Sequence, residues 1–500
     1  MGLSHETICH ISQPQRQDRY CTLESYKGVL AALQQDGNNV IRLWAIFNHS
    51  PGTGAYGAPF ANEQPFVRTA GKWDLTRIDE TYLANLESVV CEAYGKGIVV
   101  EVTLLDPWSP SWATSPFNPV NTIDPEKQGF TERRLFASFE DPQARADGTP
   151  RNVLSRAAQK SAVAAVVSRL KKYPNVLWEV ANEPDLIPAG APDLGGKLTP
   201  EQVLDWQKAM AAVIQANDAA PPHLIEVNGH APATFAWNVP GAKVATVHYT
   251  GIEGGRYGAI ELLRDESLAG PRAGVAVGCN ENRPLPDPKD PGRGADDVRA
   301  EAWEIMLGGG ALFDGYSLDR SAPASQAASA QLGVLGRFLR GLRSLPSMRP
   351  AGCNGPSDWC RGIPAWGTRE TGTCGPALGA NLYWATLRSA TDLALYIQHG
   401  NSGSATKDAA FGSYRAAVCG EGKAGSGYQT TGVQVRVAQA GCWSVEWRDP
   451  ATGATLAKDL RPLAADAWSP AGDSPWYRHD VLLFVSLVRA GSCPEAPRIP

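Results

Sequence analysis

The chain predicts an α/β fold, a (β/α)8 TIM barrel followed by a small all-β sandwich domain, and three observations carry that prediction. Over about the first two thirds of the 500 residues, short apolar runs with the length of buried strands alternate with amphipathic helical stretches. Two of those runs stop at a glutamate with a proline close behind it: VLWEVANEPDL (176–186) and RAGVAVGCNENRP (272–284). Beyond about Pro350 the texture changes. Helical periodicity gives way to short alternating runs such as LYWATL, LALYIQH, CWSVEWRD and DVLLFVSLV, separated by Gly- and Pro-containing turns. The expected division is a barrel over 1–348 and a β-sandwich over 349–500.

Composition narrows the function classes. A formal charge of −5 with no basic run argues against a nucleic-acid partner. No apolar run reaches membrane-spanning length, so a membrane partner is not expected. Tandem CxxC pairs and HExxH are absent, which leaves structural and catalytic metal without support. Of the ten cysteines, Cys91 falls in a helix and Cys279 in a strand. The other eight, Cys9, Cys21, Cys353, Cys360, Cys374, Cys419, Cys442 and Cys493, cluster near the ends and in the C-terminal part. That distribution favours disulfides and an oxidising, secreted or periplasmic location, although MGLSHETICH lacks the features of a leader. Fifteen tryptophans are mild support for a sugar partner, because indole faces stack on sugar rings and also fill cores.

Taken in order, residues 2–8 predict a very short first strand ending at His5 and Glu6, and 23–35 a helix stopped by Gly37. The second strand, NVIRLWAIF (39–47), contains Arg42, which burial would make costly unless it is paired. GTGAYG (52–57) fits GxGxxG, but Pro59 and a polar loop follow instead of the helix a dinucleotide site needs, so no nucleotide cofactor is expected. A helix over 78–94 leads to the third strand, GIVVEVTLLD (97–106), which ends at Asp106. The long loop to about Asn152 carries Trp108, Trp112 and Phe117, read as an exposed wall of a sugar cleft. Helices over 152–172 and 200–217 flank the strand that leads to Glu183. HLIEVNG (223–229) and AKVATVHYTG (242–251) supply strands five and six, the latter ending in His248 and Tyr249. A helix around 260–268 precedes the seventh strand and Glu281. A helix over 296–307, a Gly triplet, an eighth strand ending near Tyr316 and a helix over 325–342 complete the barrel.

The Asn-Glu-Pro at 182–184, the second strand-terminal glutamate three βα units later, Arg42 and the His248-Tyr249 pair together resemble the family 5-like members of glycoside hydrolase clan A. The resemblance covers about two thirds of the chain. It implies a retaining glycosidase acting on β-linked oligo- or polysaccharides without a cofactor or metal, with Glu183 as general acid/base and Glu281 as nucleophile. It further implies that Asn182 binds the sugar 2-hydroxyl, that Arg42 supports the nucleophile rather than serving only as a structural salt bridge, and that His248 and Tyr249 touch the glycon. His5, Glu6, Trp108, Trp112, Asp106 and Tyr316 are further candidate sugar contacts. Two departures stand out: Asp106 occupies a place where many members carry a His, and Tyr316 or a loop Trp must replace the Trp of the eighth strand.

The chemistry is consistent with that assignment. Retention needs one carboxylic acid to protonate the leaving oxygen and one carboxylate to attack the anomeric carbon, and a cation beside the second keeps it ionised. Glu179, inside the strand, reads as a paired structural acid, whereas Glu253, Glu261, Glu266, Glu301 and Glu304 read as solvated surface. The other functions left open are a sugar-binding protein on a degenerate barrel, a transglycosylase and an NAD-dependent oxidoreductase. The sugar, the choice between exo and endo action and the oligomeric state are not specified. In the C-terminal part, Trp443, Trp447 and Trp468 read as core, with sugar binding as the alternative.

Overall fold

The computed structural model describes residues 2–4, 23–45, 65–106, 115–124, 153–186, 199–218, 221–229, 238–248, 274–281, 285, 293–315, 323–365, 368–369, 381–403, 413–419 and 426–493. The chain divides into two compact units. One comprises 1–250, 262–285 and 312–326; the other comprises 251–261, 286–311 and 327–500.

The first unit is a closed, all-parallel eight-stranded barrel. Its strands are β1 (Gly2–Ser4), β2 (Val40–Trp44), β5 (Val99–Thr103), β6 (Val176–Glu179), β7 (Ile225–Gly229), β8 (Ala242–His248), β9 (Ala276–Glu281) and β10 (Leu312–Gly315). They pair in that order, and β10 closes on β1. The stunted first strand is sufficient for closure because Gly2 and Leu3 bridge both neighbours.

Within this unit lie the helices α1 (Leu23–Asp36), α2 (Glu80–Gly95), α3 (Val153–Leu170) and α4 (Pro200–Asn217). Each begins or ends where local chemistry dictates. The Asp79 side chain caps α2, and Thr199 with Gln202 forms a reciprocal capping box before Pro200 opens α4. The strand starts supply an apolar floor: Val40, Leu177, Val244 and Leu312 cluster together, with Val99 and Ala276 packed against them. Gly278 lets β9 approach β10 closely, since a Cβ there would lie 2.8 Å from the Leu312 carbonyl oxygen.

Two local features differ from the expected loops. A hairpin, β3 (Phe66–Thr69) and β4 (Lys72–Ile78), turns through Ala70 and Gly71, both at positive φ as a tight two-residue turn requires. Phe117, expected on an exposed cleft wall, is fully buried and meets Phe66 edge to face at 5.5 Å. An apolar ring of that size is stabilised more by packing under a loop than by exposure to solvent.

The second unit contains α5 (Ala295–Leu307), most of α6 (Pro323–Gly341) and two antiparallel sheets. The larger sheet runs β11 (Arg349–Pro350), β14 (Asn381–Arg388), β15 (Asp392–Gly403), β21 (Asp480–Arg489), β18 (Gly441–Arg448) and β19 (Thr455–Leu463). On it, β13 (Thr368–Arg369) pairs with β14 and β16 (Ser413–Ala416) with β15. The smaller sheet is β12 (Cys360–Arg361), β17 (Gln434–Val435) and β20 (Ser469–Pro470). Side chains of both sheets share one core that includes Leu395, Ile397, Val435, Trp443, Trp447 and Leu483.

Trp443 and Trp447 are therefore core, as expected. Trp468 is half-buried at the surface, flanked by the guanidinium groups of Arg361 and Arg436, which corrects its expected place in the core. Glu301 and Glu304, expected as solvated surface, are buried in α5. Burial is tolerated because Arg293 forms a bidentate pair with Glu301 and the Gln398 amide donates to Glu304. Disulfides join Cys353 to Cys360 and Cys442 to Cys493, and Cys419 is also disulfide-bonded. Cys279 is a buried thiol and Cys91 an exposed one. Among the described residues no helix is long and apolar enough to cross a membrane.

Candidate active site

Charged residues gather at the opposite end of the strands from the apolar floor. Arg42 on β2 pairs in register with Glu101 on β5, and Glu179 on β6 with Glu226 on β7, so the middle of the barrel carries one cation and several carboxyl groups. All four side chains are fully buried. The Arg42 guanidinium is shared among them. Its Nε and Nη2 donate to the two Glu179 oxygens at 2.8 and 2.6 Å, Nη1 to Glu281 Oε2 at 2.9 Å and Nη2 to Asn182 Oδ1 at 2.8 Å, while Glu101 lies 3.3 Å from Nε.

The proton affinities follow from this crowding. Burial alone would weaken the Arg42 charge, but Glu179, Glu101 and Glu281 outweigh it and raise the guanidinium well above its ordinary value. For Glu179, burial pushes upward, yet Arg42 and the Thr103 hydroxyl reverse the direction and hold it below the usual carboxylate range. Glu101 goes the other way. Burial, then the neighbouring Glu226 and Glu179, push it well above that range despite Arg42 and Asn280. One cation is shared among more carboxyl groups than it can neutralise, and the proton affinity of Glu101 rises in consequence.

Glu183 lies four residues beyond the end of β6, in the turn that opens at Pro184. It adopts φ +40°, a left-handed conformation that costs a non-glycine residue about 1–2 kcal/mol. Pro184 disfavours the right-handed helical alternative, and the Glu183 amide donates to Asn228 Oδ1 at 2.8 Å. Glu281 is the last residue of β9. A register shift between Val247 and His248 sets His248 directly opposite it. His248 Nδ1 thereby lies 2.7 Å from Glu183 Oε1 and 3.3 Å from Glu281 Oε2. One oxygen of each carboxyl and a His248 ring nitrogen all lie within 4.8 Å of one another. Glu183 and Glu281 are 2% and 4% exposed, so both groups are buried.

Asn182 is oriented by what its oxygen accepts. Because Oδ1 faces the Arg42 guanidinium, Nδ2 must point away, and it lies 3.5 Å from Asp106 Oδ1. Asp106 is buried three residues beyond the end of the third barrel strand, β5, beside Asn182. Thus Arg42, Asp106, Asn182, Glu183, His248 and Glu281 are brought together. His5, Glu6, Tyr249, Trp108, Trp112 and Tyr316 lie outside the described residues, as do the GxGxxG segment, the helix expected around 260–268, and Glu253, Glu261 and Glu266.

Sequence reading missed Glu101, Glu226, Asn228 and Asn280. Each is a polar residue inside an apolar strand, and that isolation is the signal that could have found them. The triads Glu183–His248–Glu281 and Glu101–Glu179–Glu226 have the spacing of a cation site. Arg42 already places its positive charge against Glu179, Glu101 and Glu281, so a metal ion in either triad would have to compete with a fixed guanidinium.

Residues 11–249 match the family model described as cellulase, glycosyl hydrolase family 5. Among solved structures, a family 5 glycoside hydrolase from Bacteroides vulgatus is similar over 99% of this chain and 90% of its own, at 12% identity and a TM-score of 0.52. A second glycoside hydrolase structure from the same organism matches 97% of this chain and 78% of its own, at 13% identity and a TM-score of 0.55. At such identities the likeness is one of fold. No curated protein matches the chain.

Proposed function

We propose that this chain, whose residues 11–249 match the glycosyl hydrolase family 5 model, cleaves β-glycosidic bonds of oligo- or polysaccharides with retention, by double displacement through Glu183 and Glu281. The observation that carries this reading is the short gap between the two carboxyl groups, within 4.8 Å oxygen to oxygen. A covalent route uses a separation of about 5–5.5 Å, whereas an inverting enzyme needs about 6.5–9.5 Å to admit a water molecule.

In the first step a Glu281 oxygen attacks the anomeric carbon while the bond to the leaving oxygen breaks and Glu183 gives that oxygen its proton. In the second, Glu183, now a carboxylate, takes a proton from water as the water oxygen attacks the same carbon and releases Glu281. Arg42, donating to Glu281 Oε2, stabilises the ionised nucleophile and the carboxylate that leaves when the ester is broken. Asn182 Nδ2 is free of the guanidinium and is assigned to the sugar 2-hydroxyl, with Asp106 behind it as a further acceptor. The substrate is carbohydrate, and no cofactor enters the chemistry. The disulfides support an oxidising compartment, secreted or periplasmic.

The test is turnover of aryl β-glycosides by the wild type, Glu183→Ala and Glu281→Ala, with azide added. The reading predicts a β-glycosyl azide from Glu183→Ala and an α-glycosyl azide from Glu281→Ala. Wild-type turnover in both variants would contradict it.

A further inference from the structure

Asn228 occupies an unusual position in the barrel. It sits on β7, fully buried, and its amide meets groups from two other strands, β8 and β9, and from the turn that carries Glu183. We infer that Asn228 is a positioning residue for the acid/base pair: it holds Glu183 in its left-handed backbone conformation and fixes His248 as the tautomer protonated on Nδ1.

The inference rests on hydrogen-bond direction. A backbone N–H can only donate, so the Glu183 amide at 2.8 Å requires the Asn228 oxygen to face it. The Asn228 NH2 is then turned the other way, with two protons to give. Its nearest acceptors are His248 Nε2 at 2.7 Å and Asn280 Oδ1 at 2.9 Å, with Thr246 Oγ1 more distant at 3.3 Å.

Asn280 cannot be reversed, because its own NH2 donates to Glu101 Oε1 at 2.6 Å and Glu226 Oε1 at 2.9 Å. Thr246 is likewise committed, since its hydroxyl donates to Glu226. The chain of donors therefore runs one way, from Asn280 toward the acids of the barrel interior and from Asn228 toward His248. His248 Nε2 must be the lone-pair nitrogen and Nδ1 must carry the proton. That proton points at Glu183 Oε1, 2.7 Å away, with Glu281 Oε2 at 3.3 Å.

The functional consequence builds on the proposed glycosidase reading. With Asn228 in place, His248 is a neutral donor between the two carboxyl groups, able to hold Glu183 Oε1 in the carboxylate form left after proton transfer. An imidazole turned to the other tautomer would offer a lone pair there, which a carboxylate repels.

The experiment uses the full chain labelled with 15N in its histidine rings, with the His248 signals identified by their loss in His248→Gln. The expected wild-type pattern is a neutral ring protonated on Nδ1. Asn228→Asp should add a proton at Nε2, since the new carboxylate can only accept there, and Asn228→Ala should release the ring from its single tautomer. On aryl β-glycosides, Asn228→Ala should lose about 100-fold in kcat with little change in KM, the scale of a misplaced catalytic group. Should the alanine variant fail to fold, the near-isosteric aspartate variant carries the test.

A wild-type ring protonated on Nε2, or an Asn228→Asp ring identical to wild type, would overturn the inference. Wild-type protein that turns over no glycoside but shows the Nδ1–H pattern would sink the glycosidase reading while supporting the hold of Asn228 on His248.

Discussion

The two units of this protein bury charge in opposite ways. In the barrel, one guanidinium is divided among Glu179, Glu281 and Glu101, with Glu226 close by, and acid outnumbers base. In the second unit, buried charge is matched partner to partner. Arg299 forms a bidentate pair with Asp480, Arg293 does the same with Glu301, and Glu446 is held by Arg448 and Lys458. Matched pairs satisfy the desolvation of both ions and mark structure, whereas an undercompensated cluster leaves proton affinities spread apart, which acid/base chemistry needs. The direction of each shift follows. Burial pushes the Asp480 carboxyl up, but Arg299 and His479 hold it far below its usual range. Glu101, facing other acids, is pushed well above it.

Removing the shared cation should break this contrast most severely. Arg42→Met takes from Glu179, Glu101 and Glu281 the guanidinium they share. It should cost about 3–5 kcal/mol in denaturant unfolding, the scale of an uncompensated buried charge. It should also abolish turnover, because Glu281 loses the guanidinium that stabilises it as a carboxylate.

A matched pair should respond differently. Asp480→Asn removes the buried carboxylate of Arg299, leaving it the more exposed Asp296, and should lower stability at pH 7 by up to about 3 kcal/mol. Because the folded-state affinity of Asp480 is depressed, its contribution is present above the unfolded value of about 4 and is lost as pH falls below it. The variant should therefore lose less than the wild type on going from pH 5 to pH 3 in acid-dependent unfolding.

The most gradual effect, spread over several pH units, concerns His399, which lies flat on Tyr428 at 3.6 Å in the second unit and is pushed down to about 3 by burial and then by His479. The unfolded chain takes up a proton below about pH 6.5 while the folded chain resists until near its own value. Stability should fall with decreasing pH through that window, by at most about 1.4 kcal/mol per unit. His399→Phe should flatten the slope between pH 6 and 4, and an unchanged slope would assign it to another group.

Much of the barrel was legible because strand ends are punctuated. Pro184 stops the run before it, and Glu281 ends an apolar strand that pairs in register with its neighbours. The 66–78 hairpin was not legible: its strands alternate with charged residues and its turn is Ala70-Gly71 rather than a common turn pair. Asn228 hid for a different reason. An Asn-Gly step reads as a turn, and only the fold reveals that its amide faces inward toward Glu183 and His248. Glu301 and Glu304 were placed outside because a helix rich in acids reads as solvated. Their partners, Arg293 and Gln398, come from a preceding segment and from a strand almost a hundred residues on, which periodicity does not register. The match of Asp106 with Asn182 likewise depends on two strand ends meeting in space.

The most direct measurement is the anomeric configuration of the first product released from a β-glycoside, followed by proton NMR before mutarotation. Double displacement through Glu183 and Glu281 predicts that the β-anomer accumulates first. Initial release of the α-anomer would mean a single displacement by water and would contradict the assignment of Glu281 as nucleophile.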